Sequence, residues 1–412
     1  MTFALEHRLN WLYIDINSYF ATIEQQLDVS LRKRPIAIVP LLSDSTCAIA
    51  ASYEAKLCGI KTGTKIYEAK KLCPELICIK ARHAVYVDYH KRIFQEIDKY
   101  LQVDHIFSID EGAFRLTGKY RQADEAIKIA QVIKQAIRNN VGEYIGCSIG
   151  IAPNRYLAKI ATNFQKLDGL SVIQATDLPG ILYDSKLTAL PGIGQKTYVN
   201  LLKNKISTIQ ELCSEDKASL AKKWGSINGE KIWSLVRGAD LPVEEVKKST
   251  IGHSQVLGPE LRRVQGARNV LLSLILRAAR RLRAKSLYTN SMLLTIDTVN
   301  NEVIKSRIKL VSSCDNHSLL HAVMPVWDEL IQTRKIDKVR KISISLHGLG
   351  QDSSQLSFDY SSGQRRQENL WKVIDELNRK LGQDAISQGL TTKQHISKEV
   401  IAFGYVPDNA QG

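Results

Sequence analysis

Three carboxylates stand at the ends of short apolar runs. Asp15 lies near the close of the strand-like run Trp11 to Ile16, and Asp110 and Glu111 follow the strand-like run His105 to Ser108. Carboxylates drawn to one point repel one another and shift each other's pKa values, and cations relieve that repulsion. Hard oxygen ligands suit Mg²⁺, which binds through few carboxylates plus substrate phosphates. Two such ions about 3.5–4 Å apart can clamp the attacking and leaving oxygens of a phosphoryl transfer. Taken singly, Asp15 reads as a strand-end cap and Asp110-Glu111 as a solvated turn. Only a fold that joins them makes a site.

The elements supply such a fold. Tyr19, Phe20, Ile23 and Leu27 share one helix face after the first strand. Ile36 to Val39 reads as a short strand. Past the acidic turn come a partner strand (Ala113 to Leu116), an amphipathic helix (Ala123 to Ile137), a strand (Tyr144 to Ile151) and a helix (Asn154 to Phe164). Strand–helix–strand–strand–helix–strand is the order of a ferredoxin-like sheet, in which the first strand lies beside the third. Asp15 would then meet the Asp110-Glu111 turn. Residues 29–82 form an insertion after the first helix.

Downstream, Leu190-Pro191-Gly192-Ile193-Gly194-Gln195-Lys196-Thr197 reads as the hairpin of a helix-hairpin-helix. Free N–H groups at a helix start can hold a DNA phosphate without reading sequence; the alternative is a helix start that packs only on its neighbour. Helical segments are expected over Leu182 to Leu190 and Ile206 to Val236. A charged linker (Leu241 to Thr250) precedes a second strand–helix–strand–strand–helix–strand series, which on this reading repeats the topology of the first. Its long helix, Glu260 to Lys285, carries Arg277, Arg280, Arg281 and four more arginines. These could track a duplex backbone or form a solvated face.

Four segments resemble the motifs of Y-family, lesion-bypass DNA polymerases: Ile14-Asp15-Ile16-Asn17-Ser18-Tyr19-Phe20-Ala21-Thr22-Ile23-Glu24, Ser108-Ile109-Asp110-Glu111, Ser52-Tyr53-Glu54-Ala55-Lys56-Leu57-Cys58-Gly59-Ile60-Lys61-Thr62-Gly63, and Gly150-Ile151-Ala152-Pro153-Asn154-Arg155-Tyr156-Leu157-Ala158-Lys159-Ile160-Ala161. The resemblance implies an α+β, right-hand polymerase fold. Its parts would be a ferredoxin-like palm (1–28 and 83–176), small fingers (29–82), a helical thumb (177–240), a linker (241–249), a βαββαβ little finger (250–348) and a tail (349–412).

The resemblance also implies roles. Asp15, Asp110 and Glu111, with the Ile16 carbonyl, would bind two Mg²⁺ ions. Phe20 would be the steric gate against a 2′-hydroxyl. Tyr19, Tyr53, Lys56 and Lys159 would hold the incoming deoxynucleoside triphosphate. Gly192, Gly194, Lys196 and the helix arginines would grip primer-template DNA, and Gln355, Leu356 and Phe358 would dock on a sliding clamp. Accessory mutagenesis subunits are further possible partners. Lys56 in place of a common Arg, and Asn17 in place of a common Asp, look closer to the catalytic subunit of bacterial polymerase V than to polymerase IV. Arg115 departs from the usual acidic residue. A catalytically inactive DNA-binding scaffold is the alternative, for which loss of the acidic triad would be the mark. A nucleotidyl cyclase fits less well, given the hairpin and the basic second half.

Bulk properties agree. The 412 residues carry a formal net charge of +15, which favours a polyanionic partner. Seven cysteines without a CxxC pair argue against a zinc site or a disulfide framework and for a reducing cytoplasm. No apolar run is long enough to span a membrane, and the first ten residues lack a signal core.

Overall fold

The computed structural model describes residues 8–242, 249–351, 362–381 and 385–386. The chain divides into two compact units, at Val243/Glu244. None of the described helices is long and apolar enough to cross a membrane.

The first unit is built on a five-stranded sheet. Its elements are β1 (Trp11–Ile16), α1 (Tyr19–Leu27), β2 (Ile36–Val39), β3 (Ala50–Ala51), α2 (Tyr53–Leu57), α3 (Ile66–Leu72), β4 (Ile77–Lys80), α4 (His83–Asp98), β5 (His105–Ile106), β6 (Glu111–Arg115), α5 (Ala123–Asn140), β7 (Cys147–Ala152), α6 (Arg155–Ala161) and β8 (Leu170–Val172). The sheet order is β5-β6-β1-β7-β8, so the first strand lies against the β5-β6 hairpin, as a ferredoxin-like order requires. Both faces of β1 are covered. Leu12, Ile14 and Ile16 enter the core with α4 and α5, while Trp11 and Tyr13 pack with α6. That is why the strand reads as a continuous apolar run rather than an alternating one. Residues 36–80 form a separate three-stranded sheet, β3-β2-β4, with its own small core.

Four helices follow: α7 (Gln195–Lys203), α8 (Ile209–Ser214), α9 (Lys217–Trp224) and α10 (Asn228–Leu235). The expected helix over Leu182 to Leu190 is instead two single 3-10 turns, Gly180–Leu182 and Leu187–Ala189. Asp184 and Ser185, residues that favour turns over helix interiors, lie between the two. The helices are tied to the five-stranded sheet at Asp240, which accepts from the Trp11 indole (2.8 Å) and pairs with Arg115 (3.2 Å). Asn154 Nδ2 also donates to the Leu235 and Ala239 carbonyls. Arg115, the departure noted in the sequence, thus has a defined partner.

The second unit comprises β9 (Ile251–Val256), α11 (Val264–Ala284), β10 (Thr289–Thr298), β11 (Val303–Ser313), α12 (Asn316–Thr333), β12 (Val339–His347) and α13 (Ser362–Leu381). Its chain order repeats that of the first unit, but its sheet order does not. The order is β11-β10-β12-β9, with the first strand at the edge and the second and fourth in the centre. The expectation of a repeated topology is therefore corrected. Element order alone does not fix strand order; the pairing of β9 with β12 and of β10 with both β11 and β12 does.

Candidate active site

Asp15 and Glu111 are direct partners across the β1–β6 ladder. Asp110 sits one residue before β6, and its carbonyl accepts from the Ile16 N–H at 2.9 Å. The sheet thus brings all three predicted acids to one end of two neighbouring strands. Asp110 is pushed up to about 6, first by burial and then by Glu111 and Asp15, against a hydrogen bond from Ser108. Burial also raises Asp15, with Lys166 opposing.

Two ammonium groups answer this charge. Lys166 Nζ lies 2.7 Å from Asp15 Oδ2, and Lys159 Nζ lies 2.6 Å from Glu111 Oε2. Among the described residues no group of three or more His, Cys, Asp or Glu is gathered tightly enough to cage an ion ready-made. The donor set nevertheless fits a hard divalent cation. It is all oxygen and partly buried, and its Asp110 is held uncharged to higher pH first by burial and then by Glu111 and Asp15, acids whose charge a cation would offset.

Lys159 is set in place by a backbone contact. A Cβ on Gly150 of β7 would come within 2.0 Å of the Ala158 carbonyl, so only glycine lets α6 lie this close to the sheet. Asn154 caps α6 by accepting from the Leu157 N–H at 2.8 Å. Burial pushes the Tyr13 phenol far up, with Glu111 adding to it, so the phenol remains a donor. Its hydroxyl donates to Glu111 Oε2 at 2.9 Å.

A basic cluster faces Asp15 from the other side. Lys56 Nζ donates to Ser18 Oγ (2.6 Å) and lies 4.7 Å from the Tyr53 ring centroid. Burial and then Lys166 hold Lys56 below the usual lysine range. Burial and Asp15 raise Tyr53. Lys166 escaped the sequence reading. Its signal was position alone: it follows Lys159 by seven residues, in the turn that leads to β8.

Phe20 is 1% exposed and stacks on Tyr86 at 4.3 Å between centroids. Tyr86 is fixed in turn by Glu24, which accepts its hydroxyl at 2.7 Å and pairs with Arg82. The Tyr19 hydroxyl is spent on the Tyr86 carbonyl at 2.6 Å, so this ring is anchored against α4. In the helical part, Gly192 holds φ 91°, which favours glycine, and Gly194 is the N-cap of α7. A Cβ at either glycine would meet open space, and Lys196 beside them is exposed.

The arginines of α11 do not act alike. The Arg283 side chain, 5% exposed, is bonded twice to Asp375 and to the Cys314 carbonyl, so it joins α13 to the unit. Arg280 lies 3.9 Å from Asp375. Arg277 and Arg281 flank His253 on β9 and, after burial, help hold its imidazole down to about 4. All of these lie on the helix-covered side of the sheet. The other side carries Lys305, Arg307, Lys309 and Lys341, alternating with buried Ile304, Ile308 and Ile342 and set among Ser291, Thr295, Ser343 and Ser345. The period-2 spacing of Lys305, Arg307 and Lys309 was the signal in the sequence. Gln355, Leu356 and Phe358 lie outside the described residues.

Comparison with known proteins adds a second line. Residues 14–163 match the impB/mucB/samB family, and residues 248–359 match its C-terminal domain. DNA polymerase IV of Moorella thermoacetica is 31% identical over 394 residues, covering 92% of this chain and 95% of that protein. DNA polymerase IV 1 of Bacillus subtilis is 26% identical over 399 residues, covering 94% of each. The fold is similar to that of a Y-family DNA polymerase chimera, Dbh-Dpo4(243-245)-Dbh, with a TM-score of 0.72 at 23% identity, over 83% of this chain and all of that one. An insertion ternary complex of Dbh DNA polymerase aligns at a TM-score of 0.55, also at 23% identity, over 83% of this chain and all of that one. The two relatives are named DNA polymerase IV, and they lend no support to the leaning toward polymerase V.

Proposed function

Because this chain belongs to the impB/mucB/samB family of Y-family DNA polymerases, and so is a DNA-directed DNA polymerase, we propose that it copies damaged template by a two-metal nucleotidyl transfer centred on Asp15, Asp110 and Glu111. The observation that carries this is the Asp15–Glu111 register pair with Asp110 beside it. These carboxylates, with the Ile16 carbonyl, would hold two Mg²⁺ ions. When bound, the ions supply Lewis acidity to the triphosphate and acidify the primer 3′-hydroxyl.

The remaining work falls to the chain. Lys56 and Lys166 would neutralise the triphosphate as charge shifts to the leaving pyrophosphate, and the Tyr53 hydroxyl would donate to it. Phe20, backed by the Tyr86 ring, cannot yield to a sugar bearing a 2′-hydroxyl. The hairpin of Gly192, Gly194 and Lys196 would hold a template or primer phosphate by backbone N–H groups. In the little finger, the open face of Lys305, Arg307, Lys309 and Lys341 suits the duplex backbone better than Arg277, Arg280 and Arg281, which face the covered side. Residues 29–82 as fingers and 177–240 as thumb belong to the same reading. So do a cytoplasmic setting and a clamp contact through Gln355, Leu356 and Phe358.

Primer extension by Asp110→Ala tests this reading. Losing several kcal/mol of barrier stabilisation predicts a rate lower by about a thousandfold, with primer-template affinity retained. Extension at the wild-type rate would refute the triad.

A further inference from the structure

We propose that Tyr13 and Lys159 are positioning residues for Glu111: they hold one oxygen of its carboxylate and thereby present the other to the cation. The inference rests on the polymerase reading above. Glu111 begins β6 opposite Asp15, but its flexible side chain gains nothing in orientation from that pairing alone. Among the described residues, its two donors both address Oε2: the Tyr13 hydroxyl at 2.9 Å and Lys159 Nζ at 2.6 Å. Neither donor addresses Oε1, which is the oxygen assigned here to the cation. Outer partners of this kind fix the geometry of metal-bound carboxylates and tune metal affinity.

The donors are themselves held. Tyr13 and Asp15 project from the same face of β1, two residues apart, so Tyr13 reaches diagonally across the ladder to Glu111. The Tyr13 ring stacks on Phe107 at 5.7 Å, and Phe107 stacks on His105 at 5.9 Å. Arg155 and Lys159, one helical turn apart on α6, lie over this column, Arg155 4.6 Å from the Phe107 centroid and Lys159 5.4 Å from that of Tyr13. Lys159 Nζ also lies 3.4 Å from the Tyr13 hydroxyl. The phenol cannot swing aside without breaking the stack. This arrangement divides the lysines: Lys159 serves the carboxylate, whereas Lys56 and Lys166 on the Asp15 side serve phosphate.

The test uses the full chain on a primer-template whose 3′ end is dideoxy-terminated, so that binding is read without turnover. Mn²⁺ binding in the presence of a deoxynucleoside triphosphate is followed by electron paramagnetic resonance. Tyr13→Phe, which removes only the hydroxyl, is expected to weaken Mn²⁺ binding about tenfold and to leave the nucleotide Kd at saturating metal unchanged. Lys159→Gln should do the same, and Lys159→Arg should recover part of the loss. Lys166→Gln should instead raise the nucleotide Kd. Wild-type Mn²⁺ affinity in Tyr13→Phe overturns the proposal, as does a Lys159→Gln defect confined to the nucleotide Kd. A parallel extension assay separates the two readings. If the wild-type protein extends no primer, the polymerase mechanism fails; if it extends normally and Tyr13→Phe binds Mn²⁺ like it, only the positioning role fails.

Discussion

The two units run through the same succession of strand, helix, two strands, helix and strand, yet their sheets serve different ends. In the first, strands one and three adjoin, and both faces of the central strand are buried. Acids at the ends of those strands therefore meet in a desolvated spot, which is what pushes Asp110 up to about 6. In the second, strand one lies at the edge and one face stays open. Its charges are spread at alternate positions along the strands, where they remain solvated. Strand order and coverage thus decide whether charge is concentrated at one desolvated point or spread along a solvated face.

The comparison can be broken at several points. The largest expected effect after loss of the triad is at Phe20. Phe20→Ala should raise ribonucleotide incorporation relative to deoxyribonucleotide about a hundredfold, the 2–3 kcal/mol typical of a steric clash. Measuring the ratio on one preparation removes any effect of a lower folded fraction; an unchanged ratio would leave Phe20 a core residue only. Arg283→Ala should destabilise the second unit by about 2 kcal/mol, since it strands the partly exposed Asp375 and breaks a doubly bonded, part-buried pair. Denaturant unfolding would show this, with the first unit unaffected.

Metal binding offers a sharper contrast between the units. Because the folded pKa of Asp110 lies above the ordinary carboxyl value, its proton favours the metal-free fold at low pH, and that contribution is lost as pH rises through about 6. A cation must displace this proton. Mn²⁺ affinity should then fall by about tenfold per pH unit below 6, and Asp110→Asn should flatten the profile. The smallest effect is expected on the open face. Arg307→Ala should lower the slope of log affinity for duplex against log salt by about one, whereas Arg277→Ala, beside His253, should leave it unchanged. The reverse outcome would return the DNA contact to the helix side.

Much of the site was legible because it is local. Ile14 to Glu24 announces a strand, a turn and a helix by its apolar spacing, and the ferredoxin-like order then places Asp15 beside Asp110 and Glu111. The arginines of α11 show where such reading stops: their number suggests a binding stripe, but a sequence does not say which turn of a helix meets a partner. Arg283 meets Asp375, 92 residues away, and its role is internal. Lys166 likewise acquires its meaning from Asp15, 151 residues away.

By itself, then, the chain of residues determined the kinds of element, their succession and the acid positions, since these follow from periodicity and turn chemistry over a few residues. Only the tertiary structure decided the second unit's strand order, the division of the lysines between carboxylate and Ser18, and the burial that lifts Asp110. Each depends on which distant groups share a low-dielectric neighbourhood, and that is a property of packing rather than of spacing along the chain.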